Sequence, residues 1–104
     1  MLKLLNVPES AGAALRCLAS CPKVERIILF GSRAVGDHDL RSDIDLAIAA
    51  PELTKREMTF LRDKILKSRT LFKIAVTQLE GMPTSLQNSV LKQGVVIYER
   101  KKAV

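Results

Sequence analysis

The stretch that decides the fold reads Ile27-Ile28-Leu29-Phe30-Gly31-Ser32 and, after ten further residues, Asp43-Ile44-Asp45-Leu46. The apolar run before Gly31 is typical of a strand that is buried on both faces. The second segment alternates in polarity, so Asp43 and Asp45 project from one face of another strand, about 7 Å apart at the backbone. A Gly-Ser turn and two carboxylates are therefore predicted to meet at one edge of a sheet.

The paired carboxylates predict a metal site. Two like charges at this spacing repel each other unless a cation lies between them. Mg²⁺ prefers one or two carboxylates together with water and phosphate oxygens. Gly31 lets the backbone approach a ligand closely because it has no Cβ, and Ser32 adds a hydroxyl and an amide. The pattern is typical of nucleotidyl transfer, in which metal ions neutralise a triphosphate while a hydroxyl attacks.

Other interpretations of the same loop fit its residues less well. Gly31 and Gly36 have the spacing of a P-loop, but Asp37 and His38 replace its Lys and Ser/Thr. An EF-hand is excluded because the glycine at its sixth position is missing and Arg41 would occupy a ligand position. His38 is interpreted as a solvated loop residue. The alternative for the two aspartates is an exposed polar strand edge without a ligand.

The rest of the chain alternates helices with strands. Periodicity predicts four strands, at Val24 to Phe30, Asp43 to Ala49, Phe72 to Gln78 and Val95 to Tyr98. A first helix is predicted from near Val7-Pro8 to Cys21-Pro22. Two further helices are predicted after capping boxes at Thr54 to Glu57 and at Thr84 to Gln87, the latter with Gly94 as its C′ residue. The inward faces are predicted to carry Ala11, Ala14, Leu15 and Leu18 in the first helix, Met58, Leu61, Ile65 and Leu66 in the second, Leu86, Val90 and Leu91 in the third, and Phe72, Ile74 and Val76 in the strand between the last two helices. This alternation predicts a single α/β or α+β domain over residues 1–104, built around one sheet.

Composition narrows the function classes. The chain has 104 residues and a net charge of +6, and only 4% of its residues are aromatic. Residues 51–104 hold eleven basic and five acidic residues, which indicates either an anionic partner or a solvated helix face. The scarcity of aromatics argues against a nucleic-acid platform based on base stacking. No apolar run could span a bilayer, and Cys17 and Cys21 are predicted to be reduced, so a cytoplasmic protein is expected.

The two motifs resemble those of the minimal nucleotidyltransferases in the DNA polymerase β superfamily. That family's signature is Gly-Ser, ten residues, then Asp-x-Asp, and Gly31-Ser32 and Asp43-Ile44-Asp45 match it without a gap. The ending from Lys92 to Tyr98 is also similar to these proteins. The resemblance implies a small mixed β-sheet flanked by helices, with ATP as the substrate and two Mg²⁺ ions. By position, it implies that Asp43 and Asp45 are the catalytic metal ligands.

The same resemblance implies a phosphate site and a protein partner. Gly31 and Ser32 would bind the triphosphate of the nucleotide, with Arg33 as a further phosphate contact. Many members are encoded beside a helical HEPN protein and act as antitoxin to this RNase toxin, and some transfer AMP onto a tyrosine of that partner. The implied function is therefore Mg²⁺-dependent AMP transfer from ATP to a hydroxyl of a HEPN-type protein, with an oligomeric assembly left open.

One departure from the family pattern bears on catalysis. The family usually has a third carboxylate in a later strand, in a segment of the type aromatic-basic-aliphatic-Asp-aliphatic. Here that segment is Phe72-Lys73-Ile74-Ala75-Val76, with Ala75 in the acid's position. Loss of this acid is expected to weaken one metal site and to slow the transfer. The alternative function is therefore a catalytically degenerate fold that neutralises a partner by binding it, and an RNA-binding domain is the third and least favoured one.

Overall fold

The computed structural model describes residues 11–31, 34, 43–68 and 73–100. The elements, in chain order, are α1 (Gly12–Ala19), β1 (Arg26–Phe30), β2 (Ile44–Ala49), α2 (Lys55–Leu66), β3 (Ile74–Gln78), a 3₁₀ turn (Leu79–Gly81), α3 (Thr84–Gln93) and β4 (Val95–Glu99). The predicted start of the first helix near Val7-Pro8 and the predicted strand residue Phe72 lie outside the described residues. No helix in the described ranges is long and apolar enough to cross a membrane.

The four strands form one mixed sheet in the order β3-β2-β1-β4. β1 lies antiparallel to β2 and to β4, whereas β2 and β3 are parallel. A parallel pair needs a crossover connection, which α2 provides between β2 and β3. The mixed sheet with its helices confirms the predicted α+β fold.

The sheet is buried on both faces, as the apolar run in β1 predicted. Ile27 and Leu29 belong to a core that includes α1, α2 and the inward side of β2. Ile28 points to the other face and packs in a second cluster with Ala47 and Ala49 of β2, the 3₁₀ turn and Val90 of α3. Each face thus has its own cluster, and β1 contributes side chains to both.

The predicted capping box of α2 is confirmed. The Glu57 amide donates to Thr54 Oγ1 at 3.1 Å, and the Thr54 amide donates to Glu57 Oε1 at 3.0 Å. The same carboxylate pairs with Lys23 at 2.8 Å. The hydrogen bonds from Lys23 and from Thr54 lower the pKa of Glu57 to about 2. The start of the crossover helix is therefore set by local sequence.

The second predicted capping box is wrong. Helix α3 begins at Thr84, with Pro83 as its N-cap and no side-chain cap. The Pro83 carbonyl accepts the Gln87 amide at 3.0 Å, so Thr84 already lies inside the helix, one residue too late to cap it. The Gln87 side chain donates to the Met82 carbonyl at 2.9 Å instead.

Three of the predicted inward-facing leucines are exposed. Leu66 is 81% exposed because it follows the buried Ile65 by about 100° around α2. Leu86 and Leu91 are 42% and 51% exposed, and Val90 is the buried residue of α3. The sheet beneath α3 has the small side chains of Ala47 and Ala49 at this point, and α3 contacts it along a narrow stripe centred on Val90. Leu86 and Leu91 lie outside this stripe. The other predicted inward residues of α1 and α2 are confirmed.

Gly94 does not have the left-handed conformation that a helix C′ glycine was predicted to adopt. Its φ is −71° and its ψ is 157°, which is extended backbone. A Cβ at this position would lie 2.5 Å from Ile28 Cγ2 and 3.2 Å from the Leu29 carbonyl oxygen. The glycine is therefore needed because the turn from α3 into β4 passes tightly over β1.

Hydrogen bonds from Arg100 connect the end of α1 with the end of β4. The Arg100 guanidinium donates to the carbonyls of Ala19 at 2.8 Å and Cys21 at 3.0 Å. The Ala19 carbonyl lies in the last turn of α1, where backbone acceptors have no partner within the helix, and the Cys21 carbonyl lies just beyond it. Cys17 and Cys21 are free thiols, which agrees with the predicted absence of a disulfide.

Candidate functional site

The turn after β1 meets β2 at Asp45. Phe30, the last residue of β1, pairs with Asp45, and Gly31 follows with a φ of +75°. A Cβ at Gly31 would lie 2.5 Å from Asp45 Oδ2. The carboxylate therefore packs directly against the Gly31 backbone, and only glycine leaves room for it. The approach of a ligand to Gly31 stays a prediction; in the structure, the carboxylate of Asp45 uses the space that the missing Cβ leaves.

The two aspartates differ in environment. Asp43 is exposed and directly precedes β2, whereas Asp45 is half-buried within the strand. Burial raises the pKa of Asp45, and the negative charge of Asp43 raises it further. Lys73 opposes this shift with its positive charge. The predicted repulsion between the two carboxylates is thus present in the fold, and the lysine offsets only part of it.

The neighbouring strand places Ala75 beside Asp45. In the parallel ladder, Asp45 pairs with Ala75, and the Ile44 amide donates to the Lys73 carbonyl at 2.9 Å. Paired residues in adjacent strands lie about 4.8 Å apart and project from the same face. Lys73, Ala75 and the two aspartates therefore share one face of the sheet. Position 75 is the place on β3 from which a side chain would reach the Asp45 carboxylate.

Sequence reasoning gave Lys73 no role, although its position carried a signal. It lies two residues before Ala75 in the same strand segment, which puts the two side chains on one face. The structure brings its charge close enough to affect Asp45. A lysine beside two carboxylates, in a site expected to bind phosphate, is a candidate phosphate contact.

The aspartates lie at one end of the face that packs on α3. The cluster on that face reaches Ala47 and Ala49 of β2 but does not include Asp45. Since side chains alternate along β2, Asp43, Asp45, Ala47 and Ala49 form one row. The alanine half of the row is buried under the 3₁₀ turn and α3, and the aspartate half is the accessible end.

The donor set of the site is small. Within residues 11–31, 34, 43–68 and 73–100, no group of three His, Cys, Asp or Glu side chains could hold a metal. Asp43 and Asp45 remain as a pair, and Mg²⁺ accepts one or two protein carboxylates when waters and phosphate oxygens complete its shell. The residues therefore fit one such ion. Ser32, Arg33 and His38 lie outside the described residues, and the predictions made for them stay predictions.

The chain belongs to the nucleotidyltransferase family, because the family model described as "Polymerase beta, Nucleotidyltransferase" matches residues 15–103. The fold and the paired aspartates after a Gly-Ser turn agree with this membership. No curated protein matches the sequence at a significant level.

Solved structures with the same fold include toxin–antitoxin complexes. A toxin–antitoxin structure with AMP-PNP is 29% identical, with a TM-score of 0.67, and the match covers 88% of this chain and 73% of that one. A tri-AMPylated Shewanella oneidensis HEPN toxin in complex with MNT antitoxin is 24% identical, with a TM-score of 0.65 and coverage of 88% and 71%. The MntA–HepT toxin–antitoxin is also 24% identical, with a TM-score of 0.63 and coverage of 88% and 71%. The last two likenesses concern the fold alone.

Proposed function

We propose that this protein is an antitoxin-type nucleotidyltransferase that transfers AMP from ATP to a tyrosine hydroxyl of a HEPN-type toxin partner in the cytoplasm. The observation that carries the proposal is the Asp43–Asp45 pair, of which Asp45 packs against Gly31 at the end of β1, in a chain of the nucleotidyltransferase family. Two carboxylates that repel each other destabilise the folded protein unless a cation lies between them, so the pair indicates a cation site.

Asp43 and Asp45 would hold the Mg²⁺ of the site. When bound, the ion would neutralise phosphate charge on the nucleotide. The raised pKa of Asp45 supports this role, because a carboxylate that lacks a sufficient positive neighbour gains most from a cation. Gly31, Ser32 and Arg33 would bind the triphosphate, and we add Lys73 as a phosphate contact from the opposite strand.

Ala75 defines how far the catalytic role extends. Ala75 pairs with Asp45, and a carboxylate at this position would complete the site. The methyl group of alanine can neither bind a metal nor accept a proton. We therefore propose that one of the two family metal sites is weak in this chain and that transfer is slow. Nucleotide binding through Asp43, Asp45 and the Gly-Ser turn does not need position 75.

The solved complexes support a toxin as the partner. The 29% identical neighbour is a toxin–antitoxin that was crystallised with AMP-PNP, a nucleotide analogue. This supports both nucleotide binding and a toxin partner for the present chain. The net charge of +6 suits an anionic substrate or an acidic protein surface.

The test is calorimetric titration of ATP in the presence and absence of Mg²⁺. Metal-dependent binding is expected in the unmodified protein and should be lost in Asp43→Ala. Asp63→Ala is the matched control, because Asp63 is an exposed aspartate of α2 that forms an ion pair with Lys67 in the next turn. Ala75→Asp is expected to bind Mg-ATP more tightly and to speed transfer of labelled AMP to a HEPN-type toxin. Absence of ATP binding at millimolar concentration would refute the nucleotide site.

A second function is favoured by Ala75 alone. A degenerate nucleotidyltransferase fold could neutralise its toxin by binding it, without chemistry. Toxin binding and neutralisation would then survive in Asp43→Ala and in Asp45→Asn, and no AMP would reach the toxin. Loss of neutralisation in these variants, with complex formation retained, would favour the enzyme.

A further inference from the structure

The outer edge of β3 has backbone groups that the sheet does not use. Among the residues that the structure describes, β3 pairs only with β2 in the four-stranded order. In a parallel ladder, alternate residues direct their amide and carbonyl to one neighbour. Because the Ile44 amide donates to the Lys73 carbonyl, Ala75 and Thr77 bond to β2. Ile74, Val76 and Gln78 therefore direct their backbone groups away from the sheet.

A groove runs between this edge and α2. One cavity of about 360 Å³ is lined by residues that include Lys55, Thr59, Arg62 and Thr77. A second cavity of about 240 Å³ continues beyond Arg62 and is lined by Ile65, Leu66, Ile74 and Ala75 among others. The first cavity is polar and basic, and the second is apolar. We call the two together the β3–α2 groove.

Arg62 separates the two cavities. Its Nε donates to the Val76 carbonyl at 3.0 Å, which covers one outward backbone acceptor of β3. Its two terminal nitrogens have further donors for an anionic group. Because the bond to the Val76 carbonyl holds the guanidinium in place, Arg62 is better positioned to bind a carboxylate than a mobile lysine would be.

The charge on α2 is unbalanced along this groove. The two acidic residues of the helix are already paired, Glu57 with Lys23 and Asp63 with Lys67. In the described part of the chain, no ion pair involves Lys55 or Arg62. The groove therefore carries net positive charge, and its apolar half includes Leu66, which is 81% exposed.

We propose that the β3–α2 groove docks an extended acidic segment of the protein partner, which adds to the sheet as a strand beside β3. The outward amides of Val76 and Gln78 bond to the backbone of the segment, a carboxylate binds between Lys55 and Arg62, and an apolar side chain fills the cavity beside Ala75. Edge addition with side-chain pockets is an established way to bind a peptide. This inference rests on the partner named under the proposed function.

The location of the groove connects docking with chemistry. Ala75 lines the apolar cavity and also pairs with Asp45. A segment bound along the outer edge of β3 would lie two strand spacings, about 10 Å, from the Asp45 backbone, with β3 between them. A protein is favoured over RNA because the groove offers backbone pairing and an apolar cavity, and none of the described residues that line it is an aromatic for base stacking.

The experiment measures binding of a HEPN-type toxin, the partner of the proposed function, to this chain. Arg62→Glu reverses the charge at the centre of the groove. Thr59→Glu places a negative charge in the basic cavity without touching the bond between Arg62 and Val76. Lys92→Glu is the matched control, because Lys92 is an exposed lysine in the last turn of α3, outside the groove. Circular dichroism checks that each variant is folded.

A second readout is hydrogen exchange of the complex at single-residue resolution. We expect the affinity to fall at least tenfold in Arg62→Glu and Thr59→Glu and less than twofold in Lys92→Glu. The amides of Ile74, Val76 and Gln78 should exchange more slowly in the complex, whereas those of Ala75 and Thr77 are already protected by β2. This alternation is specific to an added strand.

Four results would overturn the proposal. Unchanged affinity in both groove variants would place the partner elsewhere, and so would protection without the alternate pattern. Binding of an RNA oligonucleotide that is lost in Arg62→Glu, without binding of the protein, would assign the groove to nucleic acid. A chain that binds Mg-ATP but not the HEPN protein would refute both the docking and the antitoxin role, and it would leave the nucleotide site intact.

Discussion

Replacement of Gly31 by alanine tests the contact on which the candidate site is built. The added methyl group would face two obstacles. The backbone of Gly31 has a φ of +75°, a region that costs an L-residue about 1–2 kcal/mol. The new Cβ would also lie 2.5 Å from Asp45 Oδ2, so the carboxylate must rotate away from its present position.

The expected loss of stability follows from these two effects. Moving the Asp45 side chain off its rotamer costs about 0.5–1.5 kcal/mol. The lower backbone entropy of alanine in the unfolded chain returns about 0.4–1 kcal/mol. We expect Gly31→Ala to lower the free energy of unfolding by about 1–3 kcal/mol, which in a domain of this size lowers the melting temperature by roughly 4–8 °C for each kcal/mol.

Urea denaturation at neutral pH measures this loss, and a double-mutant cycle separates its two causes. In an Asp45→Ala background the clash disappears, so the cost of Gly31→Ala should shrink by about 0.5–1.5 kcal/mol, the rotamer contribution. Gly81→Ala is the control, because a Cβ at Gly81 meets nothing within 4 Å. The reasoning would be refuted if Gly31→Ala were as stable as the unmodified protein, or if its cost were the same with and without the Asp45 carboxylate.

Three further predictions follow from the fold. Thr54→Ala should lower the free energy of unfolding by about 1 kcal/mol, because it removes the cap of α2, whereas Thr84→Ala should change it little. Equal effects of the two threonine variants in urea denaturation would contradict the assigned caps. Burial and Asp43 raise the pKa of Asp45 above its ordinary value of 3.8, so ionised Asp45 costs stability. Asp45→Asn should then be the more stable protein at pH 7, and the difference should vanish as the pH falls through the pKa of Asp45 and below its unfolded value. A difference that does not depend on pH would show that ionisation is not its cause. Gly94→Ala should cost about 1–3 kcal/mol through overpacking against β1, and a thermal melt that matches the unmodified protein would rule out the tight contact.

Sequence patterns correctly predicted those features that depend on residues close together in the chain. The continuous apolar run of β1 indicated burial on both faces, and Ile27 and Ile28 indeed enter different clusters. The capping box at Thr54 formed because the two bonds that define it join residues only three positions apart. The second box failed because a proline in front of it could take the cap position, which the four-residue pattern does not consider.

The faces of the peripheral helices were predicted less well. Periodicity places Leu86 and Leu91 near Val90, but the width of the buried stripe depends on the sheet that the helix meets. Gly94 was assigned to the correct turn for the wrong reason. Its lack of a side chain serves the approach of Ile28 from another strand, which a helix-end pattern cannot contain.

The sequence by itself determined the order of the elements, the family, and the pairing of Asp43 with Asp45 on one strand face, because alternation along a strand is a property of the backbone. The tertiary structure decided which residues from distant parts of the chain meet these carboxylates. It set Asp45 against Gly31, brought Ala75 and Lys73 beside it from β3, and opened a groove along the outer edge of that strand. Strand order and register fix these contacts, and both follow from the packing of the whole sheet on its helices rather than from any single segment.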